Sequence, residues 1–382
     1  MSAKKTFSGP VLMIFSNSYD GAYPRELSRG FRERDVGLAF ISLSGESVPD
    51  WVKQNNALDY STQFYPKMPL FKKILKTFLV TRALKPSIIQ THLFFGGIVG
   101  LTVGKLLKIP VVHTRHHIDE HYQAGTFIHR WIDRQVAKRS THIVVCSQAA
   151  KDWLVGVEGV RPFKISVINQ GFDFDYLSPG STEIMRSYGD LGFTEKSINV
   201  VCAARYSKAK GQNYLLEAIK NLKGTVPNIL VTFMGPGDSS WLRKLSKELR
   251  LESSVRILPS RKDVPACLAA ADIVIHPSLA DSFSQLVIEA QAVGAVLVAS
   301  DIAAVREQVI DGVTGIIIPP RDSRAIENAV IILVGNPELA QKLRREGPLH
   351  VRQRFTWQRM IKEEMDCLSK YHKVYTELSN SG

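Results

Sequence analysis

The sequence predicts an α/β protein built from two Rossmann-like, doubly wound parallel-sheet domains facing a cleft, with a C-terminal helix returning to the first domain. Three observations predict it. The chain has 382 residues, more than one ordinary core accommodates. Short apolar runs alternate with amphipathic stretches along both halves, the pattern of strands joined by crossover helices. The alternation lapses in the middle of the chain and then restarts.

Taken in order, Val11–Phe15, Leu38–Ser42, Ser87–Thr91, Pro110–Thr114, His142–Cys146 and Ile165–Ile168 read as strands. Phe95–Leu107 and Phe127–Lys138 carry helical spacing between them. Gln170–Ser197 holds Gly, Asp and Ser residues with no strong period and reads as a linker. A second set of strands follows at Ile198–Ala203, Ile229–Met234, Val255–Leu258, Asp272–His276, Ala295–Ala299 and Gly315–Ile318. Helices fit Gln212–Leu222, Trp241–Leu249, Gln285–Val293, Val305–Ile310 and Ser323–Val334. Trp357–Tyr371 is amphipathic and suits a helix packing back on the first domain. The expected division is 1–178, 190–353 and a terminal helix at 354–373. Ligands in such sheets bind at the carboxyl ends of the strands, where loops meet helix N-termini.

Hydrophobic residues make up 45% of the chain and charged residues 22%, the balance of a soluble globular enzyme. No segment approaches the roughly 20 apolar residues that span a bilayer. The opening MSAKKTFSGPVLMIF has two lysines and a short apolar run, without the long apolar region and cleavage site of a secretory signal. Cys146, Cys202, Cys267 and Cys367 are far apart, which suits free thiols in a reducing compartment and no zinc site. A cytoplasmic location is expected. Net charge is +13, and residues 1–178 carry +9 of it, as 23 Lys and Arg against 14 Asp and Glu. An anionic partner or simple solubility accounts for such a surface. No RNA-recognition signature, zinc finger or interleaved aromatic–basic run is present, so nucleic acid is not expected.

The most informative segment is PSLADSFSQLVIE, 277–289. A helix starting near Ser284 puts Asp281 in the preceding loop and Glu289 inside the helix, about 10 Å apart at roughly 1.5 Å per residue. That is too far for an acid–base pair acting on one atom. It suits gripping two ends of one extended polar ligand, with the amides of the helix N-terminus between them favouring an anion. A nucleotide sugar has this layout, and an N-capped surface helix with two solvated acids gives the same spacing. In AARYSKAKG, Arg205 and Lys210 follow the first strand of the second half, where both reach a diphosphate or stand idle in solvent. Gly235-Pro236-Gly237 lets backbone approach a ligand, or makes a turn. His113, His116, His117, His121 and His129 crowd one stretch, with His116 just after a strand. Their spacing lacks a helical His pair with a carboxylate base, so no metal is expected.

Together these segments resemble glycosyltransferase family 4, retaining enzymes of GT-B fold, over nearly the whole chain. The resemblance implies that Arg205 and Lys210 hold the donor diphosphate, Glu289 the ribose and Asp281 the transferred sugar. His116 in IPVVHTRHH takes the place of the family's active-site histidine. SDIAAVREQVIDGVTGIIIPP, with Glu307, is similar to the segment closing the donor site. The donor set is completed by Gly21, Gly235, Arg261, Phe283, Ser284, Gln285 and Leu286. INQGFDFDYLSP resembles the interdomain junction, and RFTWQRM the start of the returning helix. Three positions depart from the family: Asp281 stands where Glu is usual, Ser284 where Gly is common, and the N-terminal glycine loop is reduced to Gly21. The implied activity is retaining transfer from a UDP- or GDP-sugar to a glycan or lipid-linked acceptor, with no cofactor and no divalent metal. A nucleotide-sugar epimerase of the same architecture and a degenerate nucleotide-sugar-binding subunit are the alternatives.

LFKKILKTFL, 70–79, repeats Leu70, Phe71, Ile74, Leu75, Phe78 and Leu79 at helical spacing, with Lys72, Lys73 and Lys76 off that stripe and Lys67, Arg82 and Lys85 flanking it. An amphipathic helix packed on the sheet accounts for it. So does a basic helix on the cytoplasmic leaflet, at roughly 1 kcal/mol per cation near an anionic surface. Peripheral association with the inner face of the cell membrane through 67–85 is the second expectation.

Overall fold

The computed structural model describes residues 7–17, 22–44, 52, 60–64, 66–116 and 126–380, with backbone alone at 22 and 374–380. The chain forms two compact units. One comprises 1–172 and 357–382, the other 173–356.

Unit 1 is built on a seven-stranded parallel sheet in the order β3-β2-β1-β4-β5-β6-β7. Its strands are β1 Val11–Phe15, β2 Leu38–Ser42, β3 Tyr60–Gln63, β4 Ile88–His92, β5 Val111–Arg115, β6 His142–Val145 and β7 Ile165–Val167. The central strands are buried along their length, which is why they read as continuous apolar runs. Alternate side chains part to two cores. Val11, Met13 and Phe15 join Leu27, Phe31, Trp357, Met360 and Ile361 on one face. Leu12 and Ile14 join Val99 and Val103 on the other, with Ile74 and Phe78 against them. The helices Ala22–Arg32 and Trp357–Asn380 cover the first face and touch each other. Leu70–Leu84, Leu93–Leu107 and Phe127–Arg139 lie side by side on the second.

The apolar stripe of Leu70–Leu84 does not pack as a whole. Ile74 and Phe78 face the core, but Leu70, Phe71, Leu75 and Leu79 are exposed, and the fully buried positions are Thr77 and Thr81. Small side chains on the buried side suit the close neighbour helix, and the bulky ones are left outside.

Unit 2 has a six-stranded parallel sheet in the order β10-β9-β8-β11-β12-β13. These strands are β8 Ile198–Ala203, β9 Ile229–Met234, β10 Val255–Leu258, β11 Ile273–His276, β12 Val296–Ser300 and β13 Ile316–Ile318. Val200 and Cys202 face one core, Val201 the other. The stretch read as a linker is not loose throughout. It contains the helix Ser181–Asp190, whose Ser187 hydroxyl donates to Asp263 at 2.8 Å. Among the described residues no helix is long and apolar enough to cross a membrane.

Candidate active site

In unit 2, β8 pairs with β9 on one side and β11 on the other, so the winding direction reverses between β8 and β11. Loops leaving adjacent strands part at such a switch point and leave room for a ligand. The loops here are 204–211 after β8 and 277–284 after β11. They are stitched together by Leu279 N–H donating to the Ala209 carbonyl at 2.8 Å. Gly211 has φ +66°, and a Cβ there would collide with the Pro277 carbonyl. Glycine is therefore required for the two backbones to approach. Tyr206 pins the first loop, its N–H to Pro236 O at 2.9 Å and its hydroxyl to the carbonyls of Phe233 and Leu258.

The charged groups meet where these loops meet. Lys210 Nζ lies 2.9 Å from Asp281 Oδ2. His276 Nε2, at the end of β11, lies 3.6 Å from the same oxygen and 3.2 Å from Ser284 Oγ. Burial alone would raise the Asp281 pKa. Hydrogen bonding to His276 and the charge of Lys210 outweigh it, and the carboxyl sits below its ordinary range. Both partners address Oδ2, leaving Oδ1 without a partner among the described residues. Glu289 is half-buried in the helix Gln285–Ala292, and no described residue partners its carboxylate. Burial pushes it up to about 7. Arg205 is exposed at the head of its loop, its stem lying near Gly237.

The remaining expected residues divide. Ser284 is the N-cap of Gln285–Ala292, but its side chain makes no capping bond. Its N–H, expected to be open to an anion, donates to Gln308 Oε1 at 3.2 Å, and its carbonyl accepts from Gln308 Nε2 at 3.1 Å. The Ser284 amide is thus taken by Gln308 rather than left to an anion. Leu286 has its side chain in the core, and only its backbone remains for a ligand. Phe283 packs edge-on against Phe355 with ring centroids 5.8 Å apart. Gly235 is buried where a Cβ would strike the Ala204 carbonyl, which makes it a site of close backbone approach. Arg261 is engaged with Asp263 at 2.6 Å and Asp190 at 2.9 Å, and no described contact joins it to the Lys210–Asp281 cluster. Glu307 is half-buried beside Gln308.

Unit 1 has its own switch point between β1 and β4. His92 ends β4 and His116 follows β5, with His92 Nδ1 and His116 Nε2 3.0 Å apart. His92 stacks on Phe15 at 4.3 Å, and Tyr23 meets both histidines edge-on. The Tyr23 hydroxyl donates to Glu364 Oε1 at 2.9 Å, and Gln90 Nε2 donates to Glu364 Oε2 at 3.0 Å. Glu364 belongs to the helix Trp357–Asn380 and is buried, which pushes it up to about 7. His92 is held well below its ordinary pKa by burial and by neighbouring His116. His113 is a core residue bonded to Thr91 at 2.8 Å, pushed down to about 3 by burial. His129 bonds Thr126. Gly21, His117 and His121 lie outside the described residues.

Two family models divide the chain between them. Residues 21–176 match Glycosyltransferase Family 4, and residues 187–350 match Glycosyl transferases group 1. Together the two matches make the chain a family 4-like glycosyltransferase. Its two parallel-sheet units are those of the GT-B fold. Anabaena Alr3699/HepE, solved in complex with UDP-glucose, superposes with a TM-score of 0.84 at 20% identity, covering 94% of this chain and 99% of that one. A D-inositol 3-phosphate glycosyltransferase of Corynebacterium kroppenstedtii is 29% identical over 62% of this chain and 56% of its own length. The Saccharomonospora viridis protein of the same name is 27% identical over 73% and 69%. The chain thus spans little more than half of the first relative.

This family 4-like chain also holds its site with residues that the motifs left out. His276 and Gln308 organise the 277–289 segment, and Tyr206 braces the 204–211 loop. His276 was visible as the strand end, but nothing in its local pattern says it faces Asp281. Glu364 carried no signal, since an acid in an amphipathic helix reads as solvated.

Proposed function

We propose that this glycosyltransferase is a retaining, metal-independent hexosyltransferase. It transfers a sugar from a nucleotide diphosphate sugar, UDP-linked in the first instance, to a glycan or lipid-linked acceptor in cell-surface polysaccharide or glycolipid synthesis. The observation that carries this reading is the polar cluster at the β8/β11 switch point, followed in the helix Gln285–Ala292 by the Glu289 carboxylate, which no described residue partners. Lys210 uses one N–H on Asp281 and has two more for phosphate oxygens. Asp281 Oδ1 meets sugar hydroxyls, and Glu289 accepts from the ribose. The anomeric C–O bond breaks with its electron pair moving onto the diphosphate. Arg205, Lys210 and the N-terminal end of the helix Gln285–Ala292 stabilise that charge, so that fixed cations supply what a metal would. The acceptor oxygen attacks from the leaving-group side, and its proton passes to the departing phosphate. On this reading His116 orients the sugar.

The UDP-glucose complex of the Anabaena neighbour supports a UDP donor. A phosphorylated polyol is the second acceptor class. The relatives' name favours it, and the +9 of the first 178 residues suits an anionic acceptor. The lysines of 67–85 are read as contacts to an anionic leaflet, with the protein otherwise in the cytoplasm.

The test is a set of assays with UDP- and GDP-sugars, with and without acceptor, in excess EDTA. An α-linked donor is expected to give an α-linked product, unaffected by the chelator. A β-linked product would overturn retention, and activity lost to EDTA and restored by Mn²⁺ would overturn metal independence. Release of epimerised free sugar without acceptor would identify the epimerase, and nucleotide binding with no turnover the degenerate subunit.

A further inference from the structure

Leu70–Leu84, Leu93–Leu107 and Phe127–Arg139 form one helix layer on unit 1's sheet, the middle helix touching both neighbours. The outward side of a surface helix is ordinarily polar. Here Phe71 is 66% exposed, Leu75 56%, Phe95 49%, Phe127 75%, Ile128 65% and Trp131 52%. The middle and third helices meet ring to ring, Phe94 against His129 at 5.4 Å. These six lie in the first two turns of their helices, whereas Leu79 and Leu106, also exposed, lie further along. In a βα unit those turns stand at the carboxyl edge of the sheet, the edge that carries His92 and His116.

The charge on this layer is of one sign. The three helices hold nine Lys and Arg residues, of which Lys72, Lys73, Lys76 and Arg130 share the first two turns with the apolar set, and a single acid, Asp133, which is buried against Arg115 at 3.0 Å. No carboxylate of theirs faces outward.

We propose that this rim inserts into an anionic lipid bilayer, with the six apolar side chains entering the acyl boundary and the surrounding cations meeting phosphate headgroups. The proposal rests on the reading of 67–85 as membrane-facing. It deepens that reading from electrostatic contact by one helix to apolar insertion by three, the third, Phe127–Arg139, far from 67–85 in sequence. A second copy of the chain fits the patch poorly, because an isologous pairing brings the same cations of both copies together. A bilayer with anionic headgroups matches both the apolar and the basic component. The rim's position sets the unit 1 site beside the membrane surface, where the head of a lipid-linked acceptor resides.

The experiment is sedimentation of the full chain with phosphatidylcholine vesicles containing phosphatidylglycerol, at low and high salt, alongside quenching of tryptophan emission by brominated lipid. The wild type is expected to partition, to be quenched, and to retain part of its binding in salt. F127S/I128S/W131S is expected to lose at least tenfold in partition, and W131F to lose most of the quenching. The UDP-induced rise in Tm, which reports the donor site, is expected to be the same in all of them. A failed donor reading therefore appears as no UDP response with partition and quenching intact, which leaves the insertion standing. Absence of quenching in the wild type, or equal partition of the triple-serine variant, would overturn the proposal. So would a dimeric wild type that becomes monomeric in that variant with no vesicle binding by either. Quenching needs only the wild-type protein, so a variant that failed to fold would not rescue the idea.

Discussion

The two units place polar side chains at the carboxyl edges of their sheets under opposite electrostatic conditions. In unit 2 the groups are charged, partly exposed and borne on loops: Lys210 against Asp281, with Arg205 and Glu289 nearby in sequence. In unit 1 they are rings and a carboxyl packed out of water: Tyr23, His92 and Glu364 are buried or nearly so. Burial holds His92 well below its ordinary pKa and pushes Glu364 up to about 7, so both are biased toward their neutral forms. An exposed charged cluster is suited to meeting a polyanion and stabilising charge as it develops. A buried neutral cluster is suited to fixing geometry. The first should therefore respond to mutation in turnover, the second in stability and in its dependence on pH.

The largest effect is expected at the diphosphate. Lys210→Ala and Arg205→Ala should each lower kcat by about 10²–10³, the range found on removing one donor to a developing negative charge. Thermal melts of both variants should stay near wild type, because neither side chain fills the core. Near-normal kcat in both would erase the contrast between the units.

A smaller effect is expected from Glu364. Its folded pKa is raised to about 7 by burial, against an ordinary 4.5. Between those values the folded state binds more protons than the unfolded one, so unit 1 is most stable at the acid end of the window. It should lose stability as pH rises through 7, by up to about 3 kcal/mol. Glu364→Gln keeps the bond from Gln90 possible while removing the titration, and should flatten the dependence. Melts of wild type and variant across pH 4.5–8 check this, and parallel curves would contradict it.

The same contrast governs how much of the molecule was legible in its sequence. Both sheets were, since strands buried on two faces have no choice but continuous apolar runs. The edge strand β3 was not, because Tyr60–Gln63 is polar and half-buried. The helix Pro337–Arg354 was hidden by Pro348 in its interior. The unit 2 site was legible as segments, because 204–211 and 277–289 each follow one strand and carry their chemistry in consecutive positions. What remained invisible was the bracing from elsewhere, such as Gln308 occupying the Ser284 amide expected to be open. The unit 1 site draws on positions 23, 90, 92, 116 and 364, and only tertiary packing joins them. Which part of the Leu70–Leu84 stripe is covered was not legible, for a related reason. Helical spacing says which side chains share a face, and the neighbouring helix decides which face is covered.

The central claim is that unit 2 grips a nucleotide sugar at two ends, Glu289 at the ribose and Asp281 at the transferred sugar. Calorimetric titration of wild type, Glu289→Gln and Asp281→Asn with bare UDP and with the UDP-sugar tests it most directly. Glu289→Gln should weaken both ligands by about tenfold, the scale of one lost hydrogen bond to a charged group. Asp281→Asn should leave bare UDP within about twofold of wild type, since UDP lacks the group Asp281 meets, and should weaken the UDP-sugar alone. Equal losses of bare UDP affinity in the two variants would contradict the layout.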